Sequence, residues 1–339
     1  MAFAITVEPG GGRFLAGAHE TLLDAALRQG VPLPHACRSG SCGSCAAKLV
    51  RGRIAGEPPA ASLGLAEDVA LLCQVRACSD LVLEALPRSA QTATLPCRVV
   101  GLERLAPDVL VMKLQPPRGS APGFRAGQFL QLILRDGTRR SYSMANTPAE
   151  GEPIELHVRH LPGGRFTDTL FGLVAPGVKE RDVLRVELPM GSFGLSEGDK
   201  PAILLASGTG FAPIKAMVED AVRRGVRRSF SLYWGGRRAA DLYMAPLARR
   251  WAQDIPGFRF VPVLSDAPAE DGWNGRTGFV HQAVMADCPD LSGHEVFACG
   301  APAMVQAART DFLGRCGLPP AAFLADEFTS DADRLRTSP

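Results

Sequence analysis

The sequence of 339 residues lacks several features that would place it in an extreme class of protein. It has no run of about 18 apolar residues that could span a membrane, and its first ten residues carry no basic side chain to begin a signal peptide. Basic and acidic side chains number 37 and 35, so no charge excess favours nucleic acid or an anionic membrane as a partner. We therefore expect a soluble cytoplasmic protein that binds neither.

Lysine is scarce, and the cysteines do not suggest disulfides. Only five of the basic side chains are lysine, so arginine pairs such as Arg223 and Arg224 are expected by chance and indicate solvated surface. Nine cysteines is an odd number, and the expected cytosolic setting disfavours disulfides. Because five of the nine fall between residues 37 and 78, they indicate a metal site or redox chemistry.

The pattern of the chain changes twice, which predicts three domains. Residues 1–88 begin with the alternating apolar residues of a strand, followed by a short helix from Leu22 with Thr21 and Asp24 as its capping residues and Gly30 as its stop. Residues 89–96 have no apolar period and end in proline, which is typical of a linker.

The other two domains have different periodicities. Residues 97–198 contain short apolar runs separated by turn residues, which predicts an antiparallel β-barrel. Residues 199–339 alternate strands with helices that begin near Pro213 and Pro302, which predicts an α/β domain with a parallel sheet.

Four cysteines of the first domain have a recognisable spacing. Cys37, Cys42 and Cys45, followed by the distant Cys73, match the plant-type [2Fe–2S] ferredoxin pattern. Glycines between them allow backbone N–H groups to approach the sulfurs closely. Structural zinc is the alternative, although it usually requires two close pairs of cysteines. The remaining cysteines outside the motifs are predicted to be small buried residues: Cys78, Cys97, Cys288 and Cys316.

The barrel segment contains residues suited to a flavin. Arg140 could neutralise a phosphate, Tyr142 could stack on an aromatic ring system, and Gly163 and Gly164 stand at the start of a helix predicted to run through Phe171. The alternative for each is an ordinary exposed strand or turn.

The α/β segment contains residues suited to a nicotinamide nucleotide. Ser207-Gly208-Thr209-Gly210 follows an apolar strand and precedes a helix, although Pro213 replaces the last glycine of the dinucleotide fingerprint. Cys299 and Gly300 follow a later strand, at the edge where parallel sheets bind ligands. The alternatives are a plain strand–helix turn and a buried cysteine.

In this order, and with Glu327-Phe328 near the end, the motifs resemble the reductase components of bacterial oxygenases. That family includes the reductases of phenol hydroxylase, methane monooxygenase and terephthalate dioxygenase, and the CDP-6-deoxyglucoseen reductase group. The resemblance covers nearly the whole chain, and it implies a ferredoxin-like β-grasp, an antiparallel FAD-binding β-barrel and a nicotinamide-nucleotide α/β domain.

The resemblance also implies cofactors and site residues. It implies a [2Fe–2S] cluster, FAD, and NADH with NADPH as the alternative. The cluster ligands would be Cys37, Cys42, Cys45 and Cys73. The flavin would be held by Arg140, Tyr142, Ser143, Gly163, Gly164 and Thr167, with His157 and Arg159 as further cofactor-binding residues in the same stretch. The nucleotide would be held by Gly208, Thr209, Gly210, Arg237, Cys299 and Gly300, while Ser143, Cys299 and Glu327 would be catalytic and Phe328 would close the flavin face.

The implied function is electron transfer from NAD(P)H through FAD and the cluster to a terminal oxygenase, Rieske-type or di-iron, in aromatic-compound degradation. Two alternatives remain open: a reductase for a sugar-deoxygenating dehydratase, and a non-catalytic redox-sensing module. The nucleotide preference is also open, because Arg237, Arg238 and Asp241 together offer both the arginine that suits NADPH and the carboxylate that suits NADH. The resemblance favours NADH.

Overall fold

A computed structural model describes residues 2–9, 12–31, 33–35, 40, 43–56, 65–85, 92–120, 123–147, 149, 151–268 and 272–329. The chain divides into two compact units at Thr92, and residues 93–328 form the second. Within the described ranges, no helix is long and apolar enough to cross a membrane.

The first unit is a mixed sheet with one helix. Its elements are β1 (Ala2–Glu8), β2 (Gly12–Gly17), α1 (Leu22–Arg28), β3 (Ala46–Arg51), β4 (Ile54–Gly56), β5 (Val69–Leu71), β6 (Val75–Ala77) and β7 (Leu81–Ala85). Five strands lie in the order β2-β1-β7-β3-β5, with β1 parallel to β7, and β4 pairs with β6. The hydroxyl of Thr21 accepts the N–H of Asp24, so α1 begins where the sequence predicts.

The first part of the second unit is the antiparallel barrel. Its elements are β8 (Ala93–Ala106), β9 (Val109–Gln115), β10 (Phe129–Ile133), β11 (Arg139–Ser143), β12 (Ile154–Arg159), α2 (Arg165–Leu170) and β13 (Val183–Met190). The strand order is β11-β10-β13-β8-β9-β12, and a bridge between Met144 and Leu156 joins the two outer strands. Strand β8 begins inside the stretch that the sequence predicts as linker, because residues 93–96 pair with β13.

The second part is a parallel sheet with helices on both faces. Its elements are β14 (Ala202–Ser207), α3 (Phe211–Arg223), β15 (Phe230–Gly236), α4 (Ala245–Asp254), β16 (Phe258–Leu264), β17 (Arg276–Thr277), α5 (Val280–Asp287), β18 (Glu295–Gly300), α6 (Pro302–Arg315) and β19 (Phe323–Glu327). The strand order is β17-β16-β15-β14-β18-β19. Helix α6 begins at Pro302 as predicted, whereas α3 begins two residues before Pro213, directly after a 3-10 turn at residues 208–210.

The core of this sheet lies on both of its faces, as the alternating pattern predicts. Trp234 and Phe297 belong to a buried cluster on one face, and Tyr233 and Phe323 to a cluster on the other. The carboxyl ends of β14, β15 and β18 meet at one edge, where ligands of such sheets bind.

Candidate cofactor sites

Two of the four predicted cluster ligands lie together in the first unit. The sulfurs of Cys45 and Cys73 are 3.3 Å apart and buried, within reach of a single metal ion. The carbonyl of Cys45 also accepts the N–H of Leu72 at 3.1 Å, which holds the two segments side by side. Cys37 and Cys42 lie outside the described residues. Thiolate donors of this kind fit an iron–sulfur cluster.

Gly40 lies against the residue that follows Cys73. Its φ is +83°, and a Cβ there would lie 2.8 Å from the side chain of Gln74, next to Cys73. Glycine is therefore required both for the backbone conformation and for the space.

The other cysteines only partly match the prediction that they are buried. Cys97 and Cys316 are buried, and burial raises the pKa of Cys97 to about 12. Cys288 is half-buried. The prediction is wrong for Cys78, which is exposed because it follows the end of β6 in the small two-stranded sheet.

The flavin motif lies on β11 and includes an unpartnered polar atom. The hydroxyl of Ser143 is buried and has no hydrogen-bond partner within the described part of the chain. Leaving such a group unpaired costs about 1 to 3 kcal/mol, so its presence favours a ligand. On the same strand, Arg140 donates to the carbonyl of Arg139, and the ring of Tyr142 lies 5.8 Å from that of Phe166. The chemistry and burial of these residues fit FAD.

The two glycines before α2 have different roles. Gly163 has a φ of +78° and open space where a Cβ would lie. At Gly164 a Cβ would lie 2.4 Å from the hydroxyl of Thr167 and 2.8 Å from the carbonyl of Leu161, and Thr167 itself donates to that carbonyl. Gly164 and Thr167 therefore shape the turn, and the open space is beside Gly163.

His157 and Arg159 contact the nucleotide-binding part of the unit. The Nδ1 atom of His157 lies 2.8 Å from the hydroxyl of Tyr243, and its Nε2 atom lies 2.9 Å from Glu155. Arg159 donates to Asp241 at 2.7 Å, and a Cβ at Gly208 would lie 3.0 Å from its Nη1 atom. Both ring nitrogens of His157 thus have protein partners, and Arg159 lies against the glycine turn.

The structure brings the two nucleotide motifs together at the sheet edge. A Cβ at Gly210 would lie 2.1 Å from the carbonyl oxygen of Cys299, and one at Gly300 would lie 2.2 Å from the hydroxyl of Ser207. Gly208 has a φ of +52°, and its carbonyl accepts the indole N–H of Trp234 at 3.0 Å. The half-buried Thr209 lies between these glycines.

The predicted catalytic residues near the carboxyl end meet at the same place. Strand β19 pairs with β18 so that Glu327 lies opposite Gly300, and the N–H of Phe328 donates to the carbonyl of Gly300 at 2.8 Å. The Glu327 carboxylate accepts a hydrogen bond from Gln306. Burial, reinforced by Asp326, raises the pKa of Cys299 well above its ordinary value, so its thiol stays protonated.

The loop after β15 differs from the simple ribose site that its sequence suggests. Asp241 accepts the backbone N–H groups of Arg237 and Arg238 at 2.7 and 3.0 Å, as well as the guanidinium of Arg159. Burial raises the pKa of Asp241, but the backbone hydrogen bonds and the charge of Arg159 outweigh this and lower it. The Asp241 carboxylate is thus already engaged by the protein. Arg238 forms an ion pair with Asp266 at 3.0 Å.

Three residues of interest were not singled out by the sequence. Asp266 follows β16, and its N–H donates to the carbonyl of Arg237, so the loops after β15 and β16 lie side by side. Phe279 is 62% exposed and precedes α5 at the same edge. The only available signal for these two is their position after neighbouring parallel strands. No sequence signal points to Tyr243.

Comparison with known domain families gives three matches along the chain. Residues 5–78 match the 2Fe-2S iron-sulfur cluster binding domain, residues 96–194 the oxidoreductase FAD-binding domain, and residues 204–310 the oxidoreductase NAD-binding domain. The chain is therefore an NAD(P)H-dependent flavin and iron–sulfur oxidoreductase.

Full-length relatives carry the same arrangement. The chain is 38% identical to the CDP-6-deoxy-L-threo-D-glycero-4-hexulose-3-dehydrase reductase of Yersinia pestis, covering 97% of this chain and 99% of the relative. It is also 38% identical to the reductase component 1 of terephthalate 1,2-dioxygenase from a Comamonas species, covering 92% and 93%. The crystal structure of an Amycolatopsis cytochrome P450 reductase superposes with a TM-score of 0.70 and 35% identity, covering 97% and 99%. The chain belongs to this family of three-domain reductases.

Proposed function

We propose that the chain transfers electrons from NADH through FAD to a [2Fe–2S] cluster, and then to the terminal oxygenase, Rieske-type or di-iron, of a system that degrades aromatic compounds. The observation that carries this proposal is the position of Arg159, which extends from the flavin barrel to the Gly208 turn of the nucleotide edge. The flavin strand and the nucleotide turn belong to one compact unit, as hydride transfer between their cofactors requires.

The protein supplies the groups that bind and orient the cofactors. When bound, FAD converts the two electrons of a hydride into single electrons that a one-electron cluster can accept. Arg140 would neutralise the flavin phosphates, Tyr142 would pack on its ring system, and the buried Ser143 hydroxyl would hydrogen-bond a ring nitrogen. Gly163, with Gly164 and Thr167 shaping its turn, would face the flavin pyrophosphate.

At the nucleotide edge, residues 208–210 and Gly300 would receive the pyrophosphate. Cys299 would lie beside the nicotinamide as a protonated, buried thiol, so it supplies shape and not a nucleophile. Glu327 and Phe328 would close the flavin face next to Gly300.

The cluster is tested by changing Cys42→Ser. The expected protein keeps its FAD and its NADH–ferricyanide activity but loses cytochrome c reduction, because each thiolate ligand is needed for the cluster. Cys78→Ser is the matched control, since Cys78 is exposed and outside the ligand spacing, and it should retain both activities. Metal analysis should give about two irons and no zinc per chain. Cytochrome c reduction that survives in Cys42→Ser would contradict the proposed electron path.

A second partner class has direct support, because the dehydrase reductase relative is as similar as the terephthalate dioxygenase reductase. NADH-dependent turnover should be measured with a purified Rieske-type oxygenase, a purified di-iron oxygenase and a purified sugar dehydratase as alternative electron acceptors. We expect product formation with an oxygenase only. Turnover with the dehydratase alone would show that the electron acceptor is a sugar-deoxygenating dehydratase and not an oxygenase.

The preference for NADH is supported by the charge next to Arg238. Asp266 is exposed and pairs with Arg238, so a nucleotide carrying a 2′-phosphate would meet a carboxylate at this edge. Asp266→Asn should raise kcat/KM for NADPH by about tenfold, equivalent to 1.4 kcal/mol, with little effect on NADH. Arg237→Ala should lower use of NADPH selectively. A wild-type kcat/KM for NADPH more than about tenfold above that for NADH would contradict this preference.

A further inference from the structure

Strand β12 separates apolar from polar side chains along its length. Ile154, Leu156 and Val158 are buried in the barrel core. The alternate residues Glu155, His157 and Arg159 point away from that core, because successive side chains of a strand lie on opposite faces. On an edge strand such a polar face is ordinarily solvated, yet the His157 side chain is completely buried.

Each of these three polar residues has a partner in the nucleotide-binding part. Glu155 forms an ion pair with Lys215 of α3 at 3.2 Å, His157 meets the hydroxyl of Tyr243, and Arg159 meets Asp241. The three contacts are spaced two residues apart, so they form one row, which we call the β12 seam.

The hydrogen bonds of the seam have a defined direction. Burial raises the pKa of Glu155, but the hydrogen bond from His157 and the charge of Lys215 outweigh this effect and lower the pKa to about 2, so Glu155 is ionised. An ionised carboxylate only accepts hydrogen bonds, so His157 Nε2 carries the proton. Burial lowers the pKa of His157, so the ring is neutral and its Nδ1 accepts from the Tyr243 hydroxyl.

Tyr243 in turn lies against the residues that hold the nucleotide turn. Its ring makes edge contacts with Phe211 and Trp234, whose rings are stacked 3.9 Å apart. Phe211 directly follows the turn, and Trp234 donates its indole N–H to the carbonyl of Gly208. At the other end of the seam, Lys215 donates to the carbonyl of Ala145, two residues after Ser143.

We propose that the β12 seam positions the nucleotide turn on the flavin barrel, and that the hydrogen bond from Tyr243 to His157 sets the distance at which the nicotinamide meets the flavin. His157 and Tyr243 are positioning residues, because they hydrogen-bond each other and the second ring nitrogen of His157 bonds Glu155. This inference rests on the proposed hydride transfer from NADH to FAD.

The test compares two substitutions that each remove one hydrogen-bonded tyrosine hydroxyl. Tyr243→Phe removes the seam hydrogen bond, whereas Tyr233→Phe removes the hydrogen bond that Tyr233 of β15 donates to Asp287 at the end of α5. In anaerobic stopped-flow experiments with saturating NADH, Tyr243→Phe should reduce the flavin about tenfold more slowly than wild type, because small misplacement of reacting groups is costly. FAD content should be unchanged, and kcat should fall more than KM rises. Tyr233→Phe should reduce at the wild-type rate.

A second readout does not depend on activity. Hydrogen exchange of the full chain, measured without added nucleotide, should accelerate at residues 208–210 and 241–243 in Tyr243→Phe and not in Tyr233→Phe. In the His157→Leu background, Tyr243→Phe should slow flavin reduction no further, because the shared hydrogen bond is already lost.

The results distinguish failure of the seam proposal from failure of the proposed function. If wild type reduces its flavin with neither NADH nor NADPH, the proposed function fails. If wild type is active and Tyr243→Phe matches it in both reduction rate and hydrogen exchange, the seam has no positioning role and the proposed function stands.

Discussion

The flavin strand and the nucleotide edge belong to the same unit, but their motif residues are required for different reasons. At the nucleotide edge the glycines are required by the protein's own backbone, since a Cβ at Gly210 or Gly300 would overlap atoms of a neighbouring segment. On the flavin strand, Ser143 holds a buried hydroxyl that nothing in the described chain satisfies. Gly210 and Gly300 are therefore needed for folding whether or not a nucleotide binds, whereas the buried Ser143 hydroxyl is explained by a ligand and not by the fold.

The largest expected effect comes from Gly210→Ala. The added methyl would lie 2.1 Å from the carbonyl oxygen of Cys299, on a strand held between β14 and β19 that cannot move away. We expect a loss of about 3 kcal/mol or more in the free energy of unfolding, measured by chemical denaturation of the flavin-free protein. Gly314→Ala, an exposed position in α6 with no neighbour within 4 Å, should instead stabilise by about 0.5 to 1 kcal/mol. Equal stability of the two variants would mean that the fold does not require glycine at position 210.

Arg140→Ala should weaken FAD binding without changing the stability of the flavin-free protein. Loss of a charge-assisted phosphate contact is worth about 1.5 to 3 kcal/mol, so FAD affinity should fall about 10-fold to 100-fold while the flavin-free protein unfolds as before. Arg98→Ala, an exposed arginine on the same barrel, is the matched control. FAD occupancy after dialysis is the measurement. Unchanged occupancy would mean that Arg140 is only a half-buried strand residue that does not contact FAD.

Ser143→Ala should slow flavin reduction without lowering the stability of the flavin-free protein. Removing a buried hydroxyl that has no partner among the described residues should leave the flavin-free protein as stable as before or up to about 1 kcal/mol more stable. Flavin reduction by NADH should slow, because the variant lacks the hydroxyl that we propose donates to the flavin ring. A flavin-free Ser143→Ala protein that is clearly destabilised would show that the hydroxyl has a structural partner.

Most of the architecture is predictable from the sequence because the periodicities are local. The barrel and the parallel sheet follow from alternating apolar runs, and α1 and α6 begin at the residues that their capping and proline signals predict. The prediction for the linker is only partly matched, because residues 93–96 have a linker's composition but pair with β13. Pairing with a distant strand overrides local composition and leaves no local signal.

The candidate sites are predictable only where the chemistry is contained in a short motif. The cysteine spacing and the two glycine motifs are of this kind. The engagement of Asp241 by Arg159, and of His157 by Tyr243, joins residues more than 80 positions apart. The family resemblance implies that His157 binds a cofactor, but its Nε2 pairs with Glu155 on the same strand and packing of the two halves pairs its Nδ1 with Tyr243. The single sequence does not show that packing.

The smallest expected effect is a change in the pH dependence of Tm. It tests whether His157 is buried by the protein's own packing. Burial lowers its pKa in the folded state, whereas the unfolded chain has the ordinary value of about 6.5. Below that pH the unfolded state binds a proton that the native state does not, so stability must fall as pH falls. Between pH 7.5 and 5.5 the Tm of wild type should therefore drop a few degrees more than that of His157→Gln, which keeps a donor and an acceptor but does not titrate.

The groups around His157 do not produce this difference. Glu155 has a pKa of about 2, and burial places the pKa of Tyr243 well above 10, so neither titrates in this range. Burial raises the pKa of Glu219 and lowers that of His281, but both residues are present in both proteins and cancel in the comparison. If acidification lowers the Tm of wild type and of His157→Gln by the same amount, His157 is as accessible to protons in the folded state as in the unfolded one. It would then be a candidate ligand-facing residue, like Ser143, and the β12 seam would be open to water.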